Sequence, residues 1–371
     1  MIYLDNAATS FPKPECVRRA VIRAMDDFGN PSRSAHDFAL TAGRCVEYTR
    51  MKLAGFFNCA DSKRVVFTKN VTEALNVALA SIDGHIITTE AEHNSVLRPV
   101  FLKDKVTVVP VDEKGCYTVD DIARAFREDT TAVVLGHASN LTGNVVPIYE
   151  IGRLCEEYGA YFIVDAAQTA GLININMRQC RIDALCFTGH KALYGLQGTG
   201  GMCLSERFHP KPLMVGGTGS RSFETVQPSE LPDQLEAGTL NGHGLASLEA
   251  GLDYVREMGP DMLLTEAGVL ARTFHEELAG ESRLAFYGDF EADVRMPIVT
   301  LNIGDMDSNE AAAELSDRFK IAVRSGAHCA PLLHKRFGTE NRGAVRFSFS
   351  HFNTFIDVEA AVAAVKSLLL G

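Results

Sequence analysis

The chain has 371 residues, 46% of them hydrophobic and 22% charged. That is the balance of a globular protein with room for two or three cores, not of a disordered or fibrous one. Its formal charge of −11 comes from 36 basic and 47 acidic side chains with no block of one sign, which speaks against binding to nucleic acid or to an anionic membrane.

The opening Met1-Ile2-Tyr3-Leu4-Asp5-Asn6 has neither the basic nor the apolar run of a signal peptide. No stretch approaches the roughly 18 apolar residues of a membrane span. Nine dispersed cysteines without a C-x-x-C pair indicate neither a disulfide framework nor a metal site. These features predict a reduced, cytoplasmic protein that holds no metal.

Helical periodicity near Pro14–Phe28 and Ala35–Phe57 predicts an N-terminal arm. From Arg64 to about Ser205, short apolar runs alternate with helical segments. Arg64–Thr68, His85–Thr89, Val106–Pro110, Thr131–Gly136, Tyr161–Asp165, Ala184–Thr188 and Gly201–Leu204 read as buried strands. Helices are expected near Thr72–Ser81, Ser95–Lys103, Thr118–Phe126 and Ile148–Tyr158, the third opened by a Thr118/Asp121 capping pattern. This alternation predicts an α/β fold with a largely parallel sheet covered on both faces.

Beyond Gly242 the pattern changes. Long helices at about Gly244–Met258 and Pro260–Ala279 precede a strand at Ile298–Ile303, a helix at Asn309–Phe319, a strand at Ala344–Phe349 and a terminal helix from Asp357. They predict a smaller α+β unit. The expected division is a segment 1–15, a large domain 16–250 and a small domain 251–371.

Ligands of open α/β sheets gather at the carboxyl ends of the strands, and several polar residues fall there. Lys191, in Thr188-Gly189-His190-Lys191, follows the strand Ala184–Phe187. A desolvated strand-end amine suits Schiff-base chemistry, and Thr188 and His190 beside it are candidate phosphate donors. Asp165 ends its strand 26 residues earlier. A carboxylate there either caps the next turn or pairs with a pyridine nitrogen, and Gln168 is placed to donate to a phenolic oxygen.

Thr72 opens a helix and is either a plain cap or part of a phosphate cradle. His93 follows the strand His85–Thr89 and is either an idle loop residue or a ring that stacks and shuttles protons. Together these residues describe a pyridoxal 5′-phosphate (PLP) site.

A second cluster is Arg324-Ser325-Gly326-Ala327-His328-Cys329. Cys329 is either a buried free thiol or, beside Arg324 and His328, one with a depressed pKa and more thiolate. Arg346 interrupts an apolar strand, so its guanidinium needs either an internal salt bridge or a substrate carboxylate.

In order and spacing these motifs resemble the cysteine desulfurases of the SUF type, within the class V aminotransferase-like enzymes of PLP fold type I. The resemblance covers nearly the whole chain. It runs through Tyr3-Leu4-Asp5-Asn6-Ala7-Ala8-Thr9, Ala91-Glu92-His93, His137-Ala138-Ser139-Asn140, Val164-Asp165-Ala166-Ala167-Gln168, Thr188-Gly189-His190-Lys191, Glu236-Ala237-Gly238-Thr239, Arg324 to Cys329, and Val345-Arg346.

The resemblance implies a fold-type-I architecture with a seven-stranded, mostly parallel sheet. It implies that Lys191 holds PLP and moves the substrate Cα proton, and that His93 stacks on the ring. Asp165 and Gln168 would hold the ring nitrogen and phenolic oxygen. Val71, Thr72, Thr188, His190 and, from a second subunit, Thr239 would bind phosphate. Asn140 and Arg346 would hold the substrate carboxylate, Arg324 would shape the pocket, His36 would line its entrance, and Cys329 would accept sulfur.

The implied reaction converts L-cysteine to L-alanine and leaves a persulfide for a sulfur-acceptor protein, as in iron–sulfur cluster assembly, in a homodimer. Asn70-Val71 stand where the family has Gly-Thr, and Ala327-His328 where it has paired histidines; these departures mark a divergent subgroup. Selenocysteine lyase, cysteine-sulfinate lyase and other class V reactions share the scaffold and stay open as alternatives. Intact Lys191 and Asp165 weigh against a non-catalytic binding protein.

Overall fold

The computed structural model describes residues 1–31 and 34–370. In chain order the first half holds β1 (Ile2–Tyr3), α1 (Glu15–Asp27), α2 (Asp37–Phe57), β2 (Val65–Thr68), α3 (Val71–Ala80), β3 (His85–Thr89), α4 (Asn94–Val100), β4 (Val106–Val109), α5 (Val119–Ala125), β5 (Thr130–Gly136) and α6 (Ile148–Glu157). Then come β6 (Tyr161–Asp165), β7 (Ala184–Thr188), β8 (Gly200–Leu204), α7 (Gly242–Met258), α8 (Pro260–Glu276), β9 (Leu284–Tyr287), β10 (Ile298–Ile303), α9 (Ser308–Phe319), β11 (Ile321–Ala322), α10 (Pro331–Arg336), β12 (Val345–Ser348) and α11 (Phe355–Leu370).

The seven apolar runs form one sheet in the order β2-β8-β7-β6-β5-β3-β4. Strands β4, β3, β5, β6 and β7 are mutually parallel, whereas β8 runs antiparallel to both β7 and β2. Their continuous apolar character follows from burial on both faces. Phe162, Val164, Leu185 and Phe187 pack with α2, α6 and α7 on one side, and Ile86, Ala132, Val134 and Ile163 pack with α3 on the other. The Thr118 hydroxyl accepts from the Asp121 N–H at 3.2 Å while Asp121 accepts from the Thr118 N–H at 2.8 Å, closing the capping box that starts α5.

A second core lies under the antiparallel sheet β12-β10-β9, where Leu270 and Phe274 of α8 meet Val299, Leu301, Phe347 and Val365. Leu4 belongs to this core, because β1 pairs in parallel with β11. The first residues thus join the C-terminal unit, whereas α1 and α2 pack on α7.

Helix α7 crosses residue 250 and buries Leu245, Leu248 and Leu252 in the large core. The changeover between cores falls at Gly259, whose φ of 84° ends α7 before Pro260 starts α8. No helix among the described residues is long and apolar enough to cross a membrane.

Candidate active site

The carboxyl ends of β3, β5, β6 and β7 share one edge of the sheet, and a cavity opens there. Val71, His93, Asn140, Asp165, Gln168 and Lys191 all line it. Asp165 is the last residue of β6 and only 7% exposed; its carboxylate accepts the Ala167 N–H at 2.8 Å. Burial raises its pKa, opposed by that hydrogen bond and by Lys191.

Lys191 follows β7 on a tight loop. Gly189 is required on this loop, since a Cβ there would lie 2.2 Å from the Thr199 hydroxyl. Burial chiefly lowers the Lys191 pKa to about 8, with Arg346 and Arg324 adding to the shift and Asp165 opposing it. The amine is therefore partly unprotonated near neutral pH.

His93 caps α4, its Nδ1 accepting the Ser95 N–H at 3.0 Å. The imidazole proton of the neutral ring must then sit on Nε2. Burial and neighbouring cations push its pKa to about 4, so His93 presents an uncharged ring to the cavity. Gln168 Nε2 donates to the Ala7 carbonyl at 3.2 Å, leaving its second amide hydrogen free.

Asn70, not Thr72, is the N-cap of α3, accepting the Glu73 N–H at 3.0 Å. Thr72 sits one residue into the helix and shares a hydrogen bond of 2.7 Å with Ser95. Thr188 is buried at the end of β7, and His190 lies against Thr9 at 3.1 Å. Beyond the six residues in its wall, the other expected residues lie outside this cavity, His36 and Thr239 among them. His36 is exposed and caps α2 through the Ala39 N–H. Thr239 is exposed on the segment between β8 and α7.

The Cys329 loop reaches the pocket from the small domain. Asn140 Nδ2 donates to the His328 carbonyl at 2.7 Å, and the Asn94 N–H donates to the Cys329 carbonyl at 2.7 Å. Both loop residues have positive φ, 49° and 55°, a conformation that costs a non-glycine residue roughly 1–2 kcal/mol. Cys329 is half-exposed.

The expectation that His328 lends positive charge to this thiol is corrected by its surroundings. The ring is buried, its Nε2 bonds the Arg324 carbonyl at 3.2 Å, and desolvation drives its pKa to about 2. It is neutral at physiological pH.

Arg346, on β12 and 2% exposed, makes the internal salt bridge, with Nη2 2.9 Å from Asp5, and also donates from Nη1 to the Asn140 carbonyl at 2.9 Å. Its buried Nε and the buried Oδ1 of Asn140 have no partner. Unpaired polar atoms in such positions call for a ligand. Arg324 is half-buried and pairs backbone to backbone with Arg346.

Three contributors escaped the sequence reading. Asp5 is the counter-ion of Arg346. Ser95 links Thr72 to His93. Glu92, 2% exposed, ties the end of β3 to that of β5 by accepting the Thr89 hydroxyl at 2.6 Å and the Gly136 N–H at 2.7 Å, and burial raises its pKa to about 8. Only Glu92 had a signal, as an acid directly preceding His93 in Ala91-Glu92-His93.

A two-core α/β architecture with a lysine and a carboxylate at one strand-end cavity defines a class, and the family comparison agrees with it. Residues 2–361 match the aminotransferase class-V family, to which this chain belongs. A Methanothermobacter thermautotrophicus protein described as a "probable cysteine desulfurase" is 32% identical, over 96% of this chain and 92% of its own.

Among solved structures, the apo cysteine desulfurase of Thermococcus onnurineus NA1 superposes with a TM-score of 0.93 at 30% identity, covering 100% of this chain and 95% of that one. The Escherichia coli cysteine desulfurase CsdA, in an S-sulfonic acid form, gives 0.88 at 27% identity over 99% and 94%.

Proposed function

We propose that this chain is a PLP-dependent cysteine desulfurase that converts L-cysteine to L-alanine and leaves a persulfide on Cys329. The observation that carries the reading is the joining of two parts. One cavity gathers Lys191, Asp165 and His93, and Asn140 in its wall holds the backbone of the thiol loop.

The donor set fits PLP: an amine with a lowered pKa, a buried carboxylate facing it, an uncharged ring, and the first turn of α3 with its free N–H groups. Bound there, the cofactor supplies an electron sink for the carbanion formed when the Cα proton leaves. Asp165 would pair with the ring nitrogen, Gln168 would donate its free amide hydrogen to the phenolic oxygen, and Val71, Thr72, Thr188 and His190 would hold phosphate.

Lys191 accepts the Cα proton. Arg346, through its unpartnered Nε, and Asn140, through its second amide hydrogen, hold the substrate carboxylate. The Cys329 thiolate attacks the substrate sulfur, forming an S–S bond as the Cβ–S bond breaks. Arg324 positions the loop through its backbone pairing with Arg346 and its carbonyl bond to His328.

Thr239 lies on exposed chain outside its own pocket, which supports a homodimer in which it serves the partner's phosphate site. A sulfur-acceptor protein and a cytoplasmic setting belong to the same proposal. Reconstitution with PLP tests it: a visible absorbance band and stoichiometric alanine from L-cysteine are expected. A colourless protein that makes no alanine would overturn the reading.

A further inference from the structure

We propose that Lys13 is a positioning residue for Lys191: its ammonium holds the His190 carbonyl and, through the Ser10 hydroxyl, the Lys191 carbonyl, so that the N-terminal segment fixes the backbone of the reacting amine. The inference deepens the PLP reading, which supplies the task of Lys191, and its first test involves no cofactor.

Residues 5–13 run past the site and touch it at three points. The Asp5 carboxylate accepts from Arg346 Nη2 at 2.9 Å, and the Ala7 carbonyl accepts from Gln168 Nε2 at 3.2 Å. At the far end, Lys13 Nζ donates to the His190 carbonyl and to Ser10 Oγ, both at 2.8 Å. Leu4, just before this run, is buried in the second core, and the Ala7 N–H donates to the Ser348 hydroxyl at 2.9 Å. The run is thus an extension of the small domain laid against the loop that carries Lys191.

The direction of the bonds follows from the donors. Burial lowers the Lys13 pKa to about 8 with no carboxylate opposing the shift, so at pH 7 the side chain is largely the ammonium. An ammonium has hydrogens and no lone pair, and Ser10 Oγ must therefore accept from it. The single Ser10 hydrogen then turns to the carbonyls, of Lys191 at 2.8 Å and of His190 at 3.2 Å. The His190 carbonyl also takes the Ser10 N–H at 3.2 Å and lies 3.0 Å from the Thr9 hydroxyl, and the Tyr194 N–H reaches the Lys191 carbonyl at 2.9 Å.

A charged donor at the head of such a chain strengthens the bonds that follow it. Both carbonyls flanking the Lys191 α-carbon are held, while its side chain lines the cavity. Pro12 and Pro14 restrict the backbone on either side of Lys13, which delivers the ammonium from a stiff stem. A half-buried cation without an acid costs desolvation that an apolar anchor would avoid, and the bonds to Ser10 and His190 offset it.

Hydrogen exchange of cofactor-free protein at pH 7 reads the hold directly. In Lys13→Met the amides of Tyr194 and Gly195, which close the loop onto the Lys191 and Gly189 carbonyls, should exchange about tenfold faster, the lower end for loss of a hydrogen bond to a charged group. Those of β6 should not change. Lys13→Arg keeps a charged donor and should stay nearer to wild type, with Ser10→Ala, which cuts only the relay, between the two. Unchanged exchange in Lys13→Met, or equal loosening of β6, would overturn the proposal.

Steady-state kinetics of PLP-loaded protein with L-cysteine is the second measurement. A displaced base should cost Lys13→Met about tenfold in kcat with KM unchanged, restored in part by Lys13→Arg. A loss carried by KM alone would count against the positioning role. A loosened loop in Lys13→Met beside a wild type that binds no PLP would uphold the hold on the loop and defeat the cofactor reading. Equal exchange in two proteins that both bind PLP and form alanine would do the reverse.

Discussion

The cavity at the strand ends and the Cys329 loop are built in opposite ways. The cavity is made by residues whose positions follow from a buried parallel sheet: Asp165 closes β6, Lys191 follows β7, and Glu92 ties β3 to β5 with two short hydrogen bonds. The loop has two successive residues in the left-handed region and is docked to the large domain by bonds to the His328 and Cys329 carbonyls. Chemistry that needs fixed geometry sits on the rigid part. The thiol proposed to carry sulfur sits where backbone strain is offset by a few hydrogen bonds, the arrangement expected of a loop that must be released.

The comparison can be broken from the pocket side. Lys191→Ala should lower alanine formation by about 10⁴-fold, the upper range for loss of a positioned acid–base group. It should also abolish the visible band while leaving the alkylation rate of Cys329 unchanged. A changed alkylation rate would show that pocket and loop are not separate devices.

Arg346→Lys removes the fork that bridges Asp5 and Asn140 and should raise KM for L-cysteine about 30-fold, with kcat less affected. Equal losses in kcat and KM would place the guanidinium in the chemical step rather than in carboxylate binding.

A smaller effect comes from pH. Lys191 is protonated well below its lowered pKa of about 8 and free above it. The rate at which cofactor-free protein takes up PLP should therefore rise about tenfold per unit below pH 8 and level off above it. A rise continuing to pH 10 would mean that burial does not shift this amine.

The smallest change is in the latch. Asn140→Ala removes the bond to the His328 carbonyl, and one hydrogen bond of about 1 kcal/mol corresponds to about fivefold faster alkylation of Cys329. An unchanged rate would show that the Asn94 contact alone holds the loop.

The strands of the large sheet were readable because burial on both faces makes them uninterrupted apolar runs. The two-residue β1 and β11 carry no periodicity, and β9, half-exposed at the edge of its sheet, looks like loop. Lys191 and Asp165 stood out for their place after such runs, and Arg346 as a charge inside one. Its partner Asp5 lies 341 positions away, a pairing no local pattern reveals. His328 was misread because its identity suggested a cation, whereas its burial, invisible in one dimension, keeps it neutral. The contact of Lys13 with the His190 carbonyl is likewise hidden, spanning 177 positions of chain.

The central claim is that the loop thiol receives sulfur from a substrate held in the pocket. Mass spectrometry of the peptide containing Cys329, taken after the PLP-loaded protein meets L-cysteine, addresses it most directly. One added sulfur on Cys329, absent in Lys191→Ala, is the predicted result; alanine formed with Cys329 unmodified and the Cys329→Ala variant equally active would contradict it.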